Sequence, residues 1–314
     1  MSDLLVDLGG TSLRGATRVD GALRVRRVPA PGFVQHPALD GPALVEALLA
    51  ALVELAAALG VPAPDRLGLG FPGPTDPAGR AWKAPTLWGD RVGGPVDLPA
   101  LLRQAWPQAA LHVVNDVTGA GYRYLRDRRD SLCVVTVSSG VGHKVFIDGQ
   151  PAVGAHGRGG ELGHLRMDWS SDAPRCDCGG VGHLGALSSG RAVPWQARQE
   201  PNPPPWAQGE VTAEDLAAHY PHDPWALRVA DRLAAPLGRA LAAVHIDVGI
   251  ERFVIMGGLG VALGPAWAGQ VAAHAAAACW DTGQDWREGV ETGEEDDDSV
   301  LLGLENMLRL RGAA

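Results

Sequence analysis

Leu4-Leu5-Val6-Asp7-Leu8-Gly9-Gly10-Thr11, followed by the stretch Leu13 to Thr17, decides how the chain begins to fold. Leu4 to Leu8 reads as a buried strand, Gly9-Gly10-Thr11 as a turn, and Leu13 to Thr17 as a returning strand. The same order recurs later: Leu132 to Val137 is a strand, Ser138-Ser139-Gly140-Val141-Gly142 turns it, and Lys144 to Ile147 returns. Two strand–glycine turn–strand units in comparable places point to an internal duplication. Each is followed by mixed helices and strands. In the first half these are a helix from Pro42 to Leu59 and strands Leu67 to Phe71 and Leu111 to Val114. In the second half a helical region runs from Asp223-Pro224 to about His245, then come strand Arg252 to Met256 and a helix over about 264–279. The alternation predicts the α/β class. Pro236 is expected to kink or split its helix, and the prolines of Pro201-Asn202-Pro203-Pro204-Pro205 mark a rigid surface connection. The acidic run Glu294 to Asp298 reads as a turn before a last helix, Val300 to Leu310.

The 314 residues are 46% apolar, enough for a large core, and the length favours two domains. A net charge of −9 argues against a nucleic-acid binder, whose footprint would be basic. The N-terminus has no positive flank before its apolar run, so it does not read as a signal peptide. The apolar helix after Pro42 carries Glu46 and Glu54 and stops at Gly60, as the core helix of a soluble protein does. No membrane partner is expected, and the location expected is cytoplasmic. Cys133 and Cys279 sit in apolar runs and read as ordinary buried thiols.

The other two cysteines are different. Gly160-Glu161-Leu162-Gly163-His164 precedes Cys176-Asp177-Cys178-Gly179-Gly180-Val181-Gly182-His183. Thiolates and imidazoles suit Zn²⁺, and the glycines favour a tight turn in which both sulfurs grip one ion. His164, Cys176, Cys178 and His183 are the expected tetrahedron. Asp7, at the end of a buried strand, can hold Mg²⁺ directly or through water. Gly9 and Gly10 let backbone N–H groups approach phosphate oxygens, and Thr11 adds a hydroxyl. A lone hairpin of this kind would be an ordinary turn.

The order of motifs changes that reading. Asp7-Leu8-Gly9-Gly10-Thr11 is followed by Gly70-Phe71-Pro72-Gly73-Pro74, Asn115-Asp116 and Ser139-Gly140-Val141-Gly142. Glu161-Leu162-Gly163-His164, Cys176-Asp177-Cys178-Gly179 and Gly257-Gly258 complete the series. In this order the chain resembles the ROK family of sugar kinases and repressors over nearly its whole length. The resemblance implies an actin-like ATPase fold, two ribonuclease H-like domains with a cleft between them. Residues 1–115 would form the first and 116–299 the second, with a last helix over about 300–314 packing back on the first. It also implies ATP-dependent phosphorylation of a hexose hydroxyl, glucose-like or N-acetylhexosamine-like, and a homodimer. The first hairpin starts so close to Met1 that a preceding DNA-binding domain is not expected.

On this resemblance Asp116 is the general base, and Asn115 fixes the hydroxyl pattern of the sugar. The plainer role for both is to cap the following helix, and the two roles can coexist. Glu161 and His164 correspond to the pair that binds sugar hydroxyls. Gly73, Gly79, Arg80 and Thr86 match positions at the sugar or its loop. Ser139, Gly140 and Gly142 match the second phosphate turn, and Gly257 and Gly258 the adenosine turn. The chain departs from the pattern at three places. Ser12 stands where Lys is frequent, and Lys144, beyond the second turn, is a candidate replacement cation for the nucleotide. His183 stands where a third cysteine is usual. Gly185 stands where a Glu usually accepts sugar hydroxyl hydrogen bonds. A catalytically weak sugar-binding or regulatory protein is the alternative reading.

Overall fold

The structure, a computed structural model, describes residues 2–294 and 296–312; Met1, Glu295 of the acidic run and the last two residues lie outside the described residues. The chain divides into two compact units. The first comprises Met1–Arg128, Pro151–Gly159 and Asp297–Ala314, the second Arg129–Gln150 and Gly160–Asp296.

In the first unit the opening hairpin is β1 (Asp3–Leu8) and β2 (Ser12–Val19), extended by β3 (Ala22–Pro29). Then come β4 (Arg66–Phe71), a short antiparallel pair β5 (Arg80–Ala81) and β6 (Val96–Asp97), and β7 (Ala110–Asn115). The main sheet runs β3-β2-β1-β4-β7. The helix Gly41–Ala58 buries Leu44, Leu48, Leu52 and Leu55, one stripe at helical spacing. Asp40 caps it, its carboxylate accepting from the Ala43 N–H at 3.0 Å. It is the one described helix long and apolar enough to cross a membrane, yet that leucine stripe lies in the first unit's core.

The second unit repeats the plan with β8 (Leu132–Val137), β9 (Val141–Ile147), β10 (Gln150–Pro151), β11 (Phe253–Met256) and β12 (Val290–Thr292), ordered β10-β9-β8-β11-β12. In both sheets the first hairpin is antiparallel and the two later strands are parallel. Two sheets with the same strand order are what a duplicated ancestor would leave.

Three details differ from the expectation. The helix Asp116–Tyr122 belongs to the first unit, and the boundary falls after Arg128 rather than at 115/116. The reason is packing: the helix Ser299–Gly312 lies on β1, β4 and Asp116–Tyr122. A Cβ on Gly303 would sit 1.9 Å from the Gly119 carbonyl, so only glycine permits this approach. Pro236 does not split its helix, which is continuous over Pro224–Val248. The Ser188 hydroxyl donates to the Leu233 carbonyl at 2.8 Å, in the turn that Pro236 interrupts. The helix expected from about 264 does begin after Gly264, but an unforeseen helical segment from Gly258 precedes it, parted from it by a break at Gly264 (φ 68°) just before Pro265.

Candidate active site

In the first unit, the turn after β1 sets Asp7 opposite Arg14 in the β1–β2 register. Arg14 Nη2 and Nε donate to Asp7 Oδ2 at 2.5 and 3.1 Å. Oδ1 has no protein partner among the described residues. Asp7 is almost fully buried, and burial raises its pKa although Arg14 opposes the rise. Arg14 also donates to the Asp297 carbonyl and lies 3.8 Å from the Asp298 carboxylate. One carboxylate oxygen thus remains for a metal or its water, beside a fixed guanidinium. Gly10 has a neighbour that the sequence did not disclose: a Cβ there would meet the Thr86 carbonyl at 2.8 Å. Thr86 and the first glycine turn are therefore in contact.

Asn115 ends β7 and caps the helix Asp116–Tyr122, its Oδ1 accepting from the N–H groups of Val117 (3.1 Å) and Thr118 (3.3 Å). Its Nδ2 donates to Asp116 Oδ1 at 2.7 Å and to the Gly73 carbonyl at 3.2 Å. The Val117 N–H adds a second donor to Asp116 Oδ1 at 2.8 Å. Capping and carboxylate positioning therefore coexist at Asn115. Gly73 is needed for backbone reasons, since a Cβ would lie 1.9 Å from the Lys83 carbonyl. Arg80 is held locally. Asp76, 2% exposed, accepts from the N–H groups of Ala78 and Arg80 at 3.0 Å each and from Arg80 Nε at 2.8 Å. Burial acts to raise the Asp76 pKa, but these hydrogen bonds and the Arg80 charge hold it below the usual value. Arg80 thus braces its loop through Asp76, a residue that sequence reasoning missed.

In the second unit, Ser139 and Gly140 form the exposed turn between β8 and β9, closed by the Ser138 N–H to the Gly140 carbonyl at 2.9 Å. A Cβ on Gly140 would meet only open space. Gly142 pairs with Thr136 at the start of β9. Gly257 (φ 89°) turns the chain from β11 into the helix Gly258–Ala278, and a Cβ there would strike Thr136 Oγ1 and the backbone of Val137. The second glycine turn and Gly257-Gly258 therefore stand side by side.

Lys144 is placed otherwise than expected. It lies in mid-strand, nearly fully buried, and its Nζ is 4.0 Å from Glu161 Oε1. Val141, Gly142 and His143 separate it from Gly140 at the tip of the turn, about 10 Å. Its neighbour is the acceptor-binding candidate Glu161, and the role of replacement cation at the 139–142 turn does not fit this placement. The adjacent His143 was not foreseen. Its Nδ1 accepts from the Leu162 N–H at 3.0 Å, and burial, with a smaller contribution from Lys144, lowers its pKa to about 4. Gly160 (φ 94°) passes so close that a Cβ would overlap Lys144 Nζ and the His143 carbonyl. Two consecutive β9 residues thereby hold the segment Gly160-Glu161-Leu162 from below.

The metal candidates converge. The donor atoms of His164, Cys176, Cys178 and His183 lie within 4.8 Å of one another. Cys176 Sγ is 3.9 Å from His164 Nδ1, and Cys178 Sγ is 3.2 Å from His183 Nδ1. A tetrahedral zinc with about 2.3 Å to sulfur and 2.0 Å to nitrogen sets such pairs about 3.5 Å apart, so the donor set fits the ion. The cysteines occupy a tight turn closed by the Cys176 N–H to the Gly180 carbonyl (2.8 Å) and by an Arg175–Val181 bridge. Gly180 leaves room for the His183 ring, which a Cβ would penetrate. Desolvation raises the Cys176 pKa, which a bound cation would reverse. Beside this group a cavity of about 520 Å³ is lined by Ser139, Gly140, His164 and Gly185, among others.

Comparison with known proteins shows the family of the chain. Residues 4–281 match the model of the ROK family. The chain is 33% identical over 335 aligned residues to a C(7)-cyclitol 7-kinase of Streptomyces hygroscopicus subsp. limoneus, covering 98% of this chain and 94% of that one. It is 30% identical to an N-acetylmannosamine kinase of Citrobacter koseri, over 84% and 86% of the two chains. A solved ROK hexokinase from Thermus thermophilus superposes over 100% of both chains with TM-score 0.73 and 25% identity. The chain belongs to the ROK family, and its two like-ordered sheets are those of the actin-like ATPase fold.

Proposed function

We propose that this protein is an ATP-dependent kinase that phosphorylates a hydroxyl of a cyclic polyol, with Asp116 as general base. Its reaction is phosphoryl transfer to an alcohol, where alignment and charge neutralisation do most of the work. The observation that carries the reading is the seating of Asp116. Its Oδ1 is fixed by the Asn115 amide and the Val117 N–H, at the start of a helix. A carboxylate so oriented can accept the proton of an attacking hydroxyl as the bond to phosphorus forms. Within the first unit Asn115 and Gly73 are the candidate acceptor residues; within the second, taken by itself, they are Glu161 and His164. Thr86 and Arg80 act on the acceptor loop, the latter through Asp76.

For nucleotide phosphates the first unit offers the turn of Gly9, Gly10 and Thr11, in which the Gly9 N–H is taken by the Ser12 carbonyl at 2.8 Å; the second unit, taken by itself, offers the turn of Ser139, Gly140 and Gly142. Gly257 and Gly258 suit the adenosine. Asp7 Oδ1 is the candidate ligand for Mg²⁺, which neutralises phosphate charge when bound. Zn²⁺ at His164, Cys176, Cys178 and His183 would fix the His164 ring and close the loop.

Among acceptors, a C7-cyclitol fits better than the hexose expected from sequence. The cyclitol kinase relative covers nearly the whole chain at the higher identity. Gly185 supports the same choice, because it lines the cavity without the carboxylate that would hold one more sugar hydroxyl. A charge-assisted hydrogen bond of that kind is worth about 1.5–3 kcal/mol, roughly 10- to 100-fold in affinity. ADP release with a C7-cyclitol, glucose and N-acetylmannosamine tests the reading. The highest kcat/KM is expected for the cyclitol; equal or greater values for glucose would return the acceptor to the hexoses.

A further inference from the structure

A guanidinium facing a carboxylate usually gives one N–H to each oxygen. Arg14 does not. Its Nη2 and Nε both donate to Asp7 Oδ2, at 2.5 and 3.1 Å, and Oδ1 is left without a protein partner among the described residues. The remaining nitrogen, Nη1, donates to the Asp297 carbonyl, with the Asp298 carboxylate 3.8 Å away. All three nitrogens of Arg14 therefore donate to protein oxygens. The strand register accounts for the pose. Asp7, Arg14 and Arg27 lie in one row across β1, β2 and β3. Arg27 stands on the far side of Arg14, and like charges directly opposite repel, which favours the lean towards Asp7. The side chains of Arg14 and Asp7 are only 16% and 12% exposed, so water competes little for this arrangement.

A carboxylate held in this way has one oxygen to give a cation. The difference matters for the choice of ion. Mg²⁺ is small, keeps several waters and is suited by a single oxygen from a carboxylate, whereas Ca²⁺ takes more oxygens and readily accepts both from one carboxylate. We propose that Arg14 is a positioning residue that makes Asp7 a one-oxygen ligand and thereby selects Mg²⁺ over Ca²⁺ for the nucleotide complex. The inference rests on the reading of Asp7 as the Mg²⁺ ligand. Arg14 acts through Asp7 and not on the phosphates, because reaching them would release Asp7 or the Asp297 carbonyl.

Calorimetric titration of the full chain with a non-hydrolysable ATP analogue, in Mg²⁺, in Ca²⁺ and in chelator, tests this without turnover. The unmodified chain should bind the analogue more tightly with Mg²⁺ than with Ca²⁺. Arg14→Met frees Oδ2, and the ratio of the two affinities should shrink about 10-fold, the scale of one charge-assisted contact, chiefly through tighter binding with Ca²⁺. Binding in chelator should not change. Arg14→Lys keeps the charge without the planar fork and should shift the ratio the same way, and it decides the matter if Arg14→Met does not fold. A ratio unchanged in the folded variant overturns the inference, as does weaker binding in chelator, which would put Arg14 on the phosphates. Asp7→Asn separates this inference from the reading beneath it. If Asp7→Asn abolishes the dependence on metal while the Arg14 variants keep the ratio, only the inference falls. If Asp7→Asn keeps the metal dependence of the unmodified chain, Asp7 is not the ligand and the reading itself falls.

Discussion

Lys144 shows how one side chain can be reassigned by its surroundings. A lysine near a phosphate turn invites a nucleotide role, but burial and the 4.0 Å approach tie it to Glu161, a proposed acceptor residue. Lys144→Met should therefore raise the KM for the acceptor about 10-fold, the scale of one lost charged contact, and leave the KM for ATP unchanged. Lys144→Arg should restore part of the loss. A rise in the KM for ATP alone would show the lysine on the nucleotide after all. His143 makes a second residue-scale prediction. Its folded pKa of about 4 lies below the ordinary 6.5, so the unfolded chain binds the proton first as pH falls. Stability from keeping it neutral is present above about pH 6.5 and is lost as pH falls towards 4, up to about 3 kcal/mol. Thermal melts should show this slope in the unmodified chain and a shallower one in His143→Gln. Parallel slopes would contradict the assignment.

Elements were read with uneven success, for physical reasons. The two hairpins were visible because β-branched and leucine runs flank glycine turns. The strand β3 escaped, because it is exposed and arginine-rich, with no buried face to pattern it. The Cys176–Cys178 turn was legible from its ligand types, and its closeness to His164 and His183 from spacing. The Asp7–Arg14 pair was hidden only by the register, which a tight turn nearly determines. Asp76 carried no motif, and its role depends on a local fold of the backbone around Gly79. Helix docking supplies the test at this scale. Gly303→Ala would force the helix Ser299–Gly312 away from Gly119, at a cost of about 1–3 kcal/mol or more. A denaturant midpoint unchanged in Gly303→Ala would show that the close approach is not needed.

At the scale of the whole molecule, the duplication is the strongest regularity. Both sheets share one strand order, yet among the described residues the His/Cys group that could hold a metal lies in the second unit. Sheets built this way position loops at corresponding strand ends, which explains why glycine turns recur after β1 and after β8. Removal of zinc by a chelator should lower the melting temperature and abolish acceptor binding before it affects nucleotide binding, because His164 is proposed to serve both metal and acceptor. Metal analysis should find about one zinc per chain, and the substitution Cys178→Ser should empty the site. A full complement of activity in metal-free protein would remove zinc from the account.

The most direct measurement compares ADP release by the unmodified chain and by Asp116→Ala, with a C7-cyclitol as acceptor and acceptor binding followed in parallel. Turnover should fall by about 10²–10⁴ in the variant while acceptor binding persists, as loss of a general base requires. Turnover in Asp116→Ala within a few-fold of the unmodified chain would contradict the account.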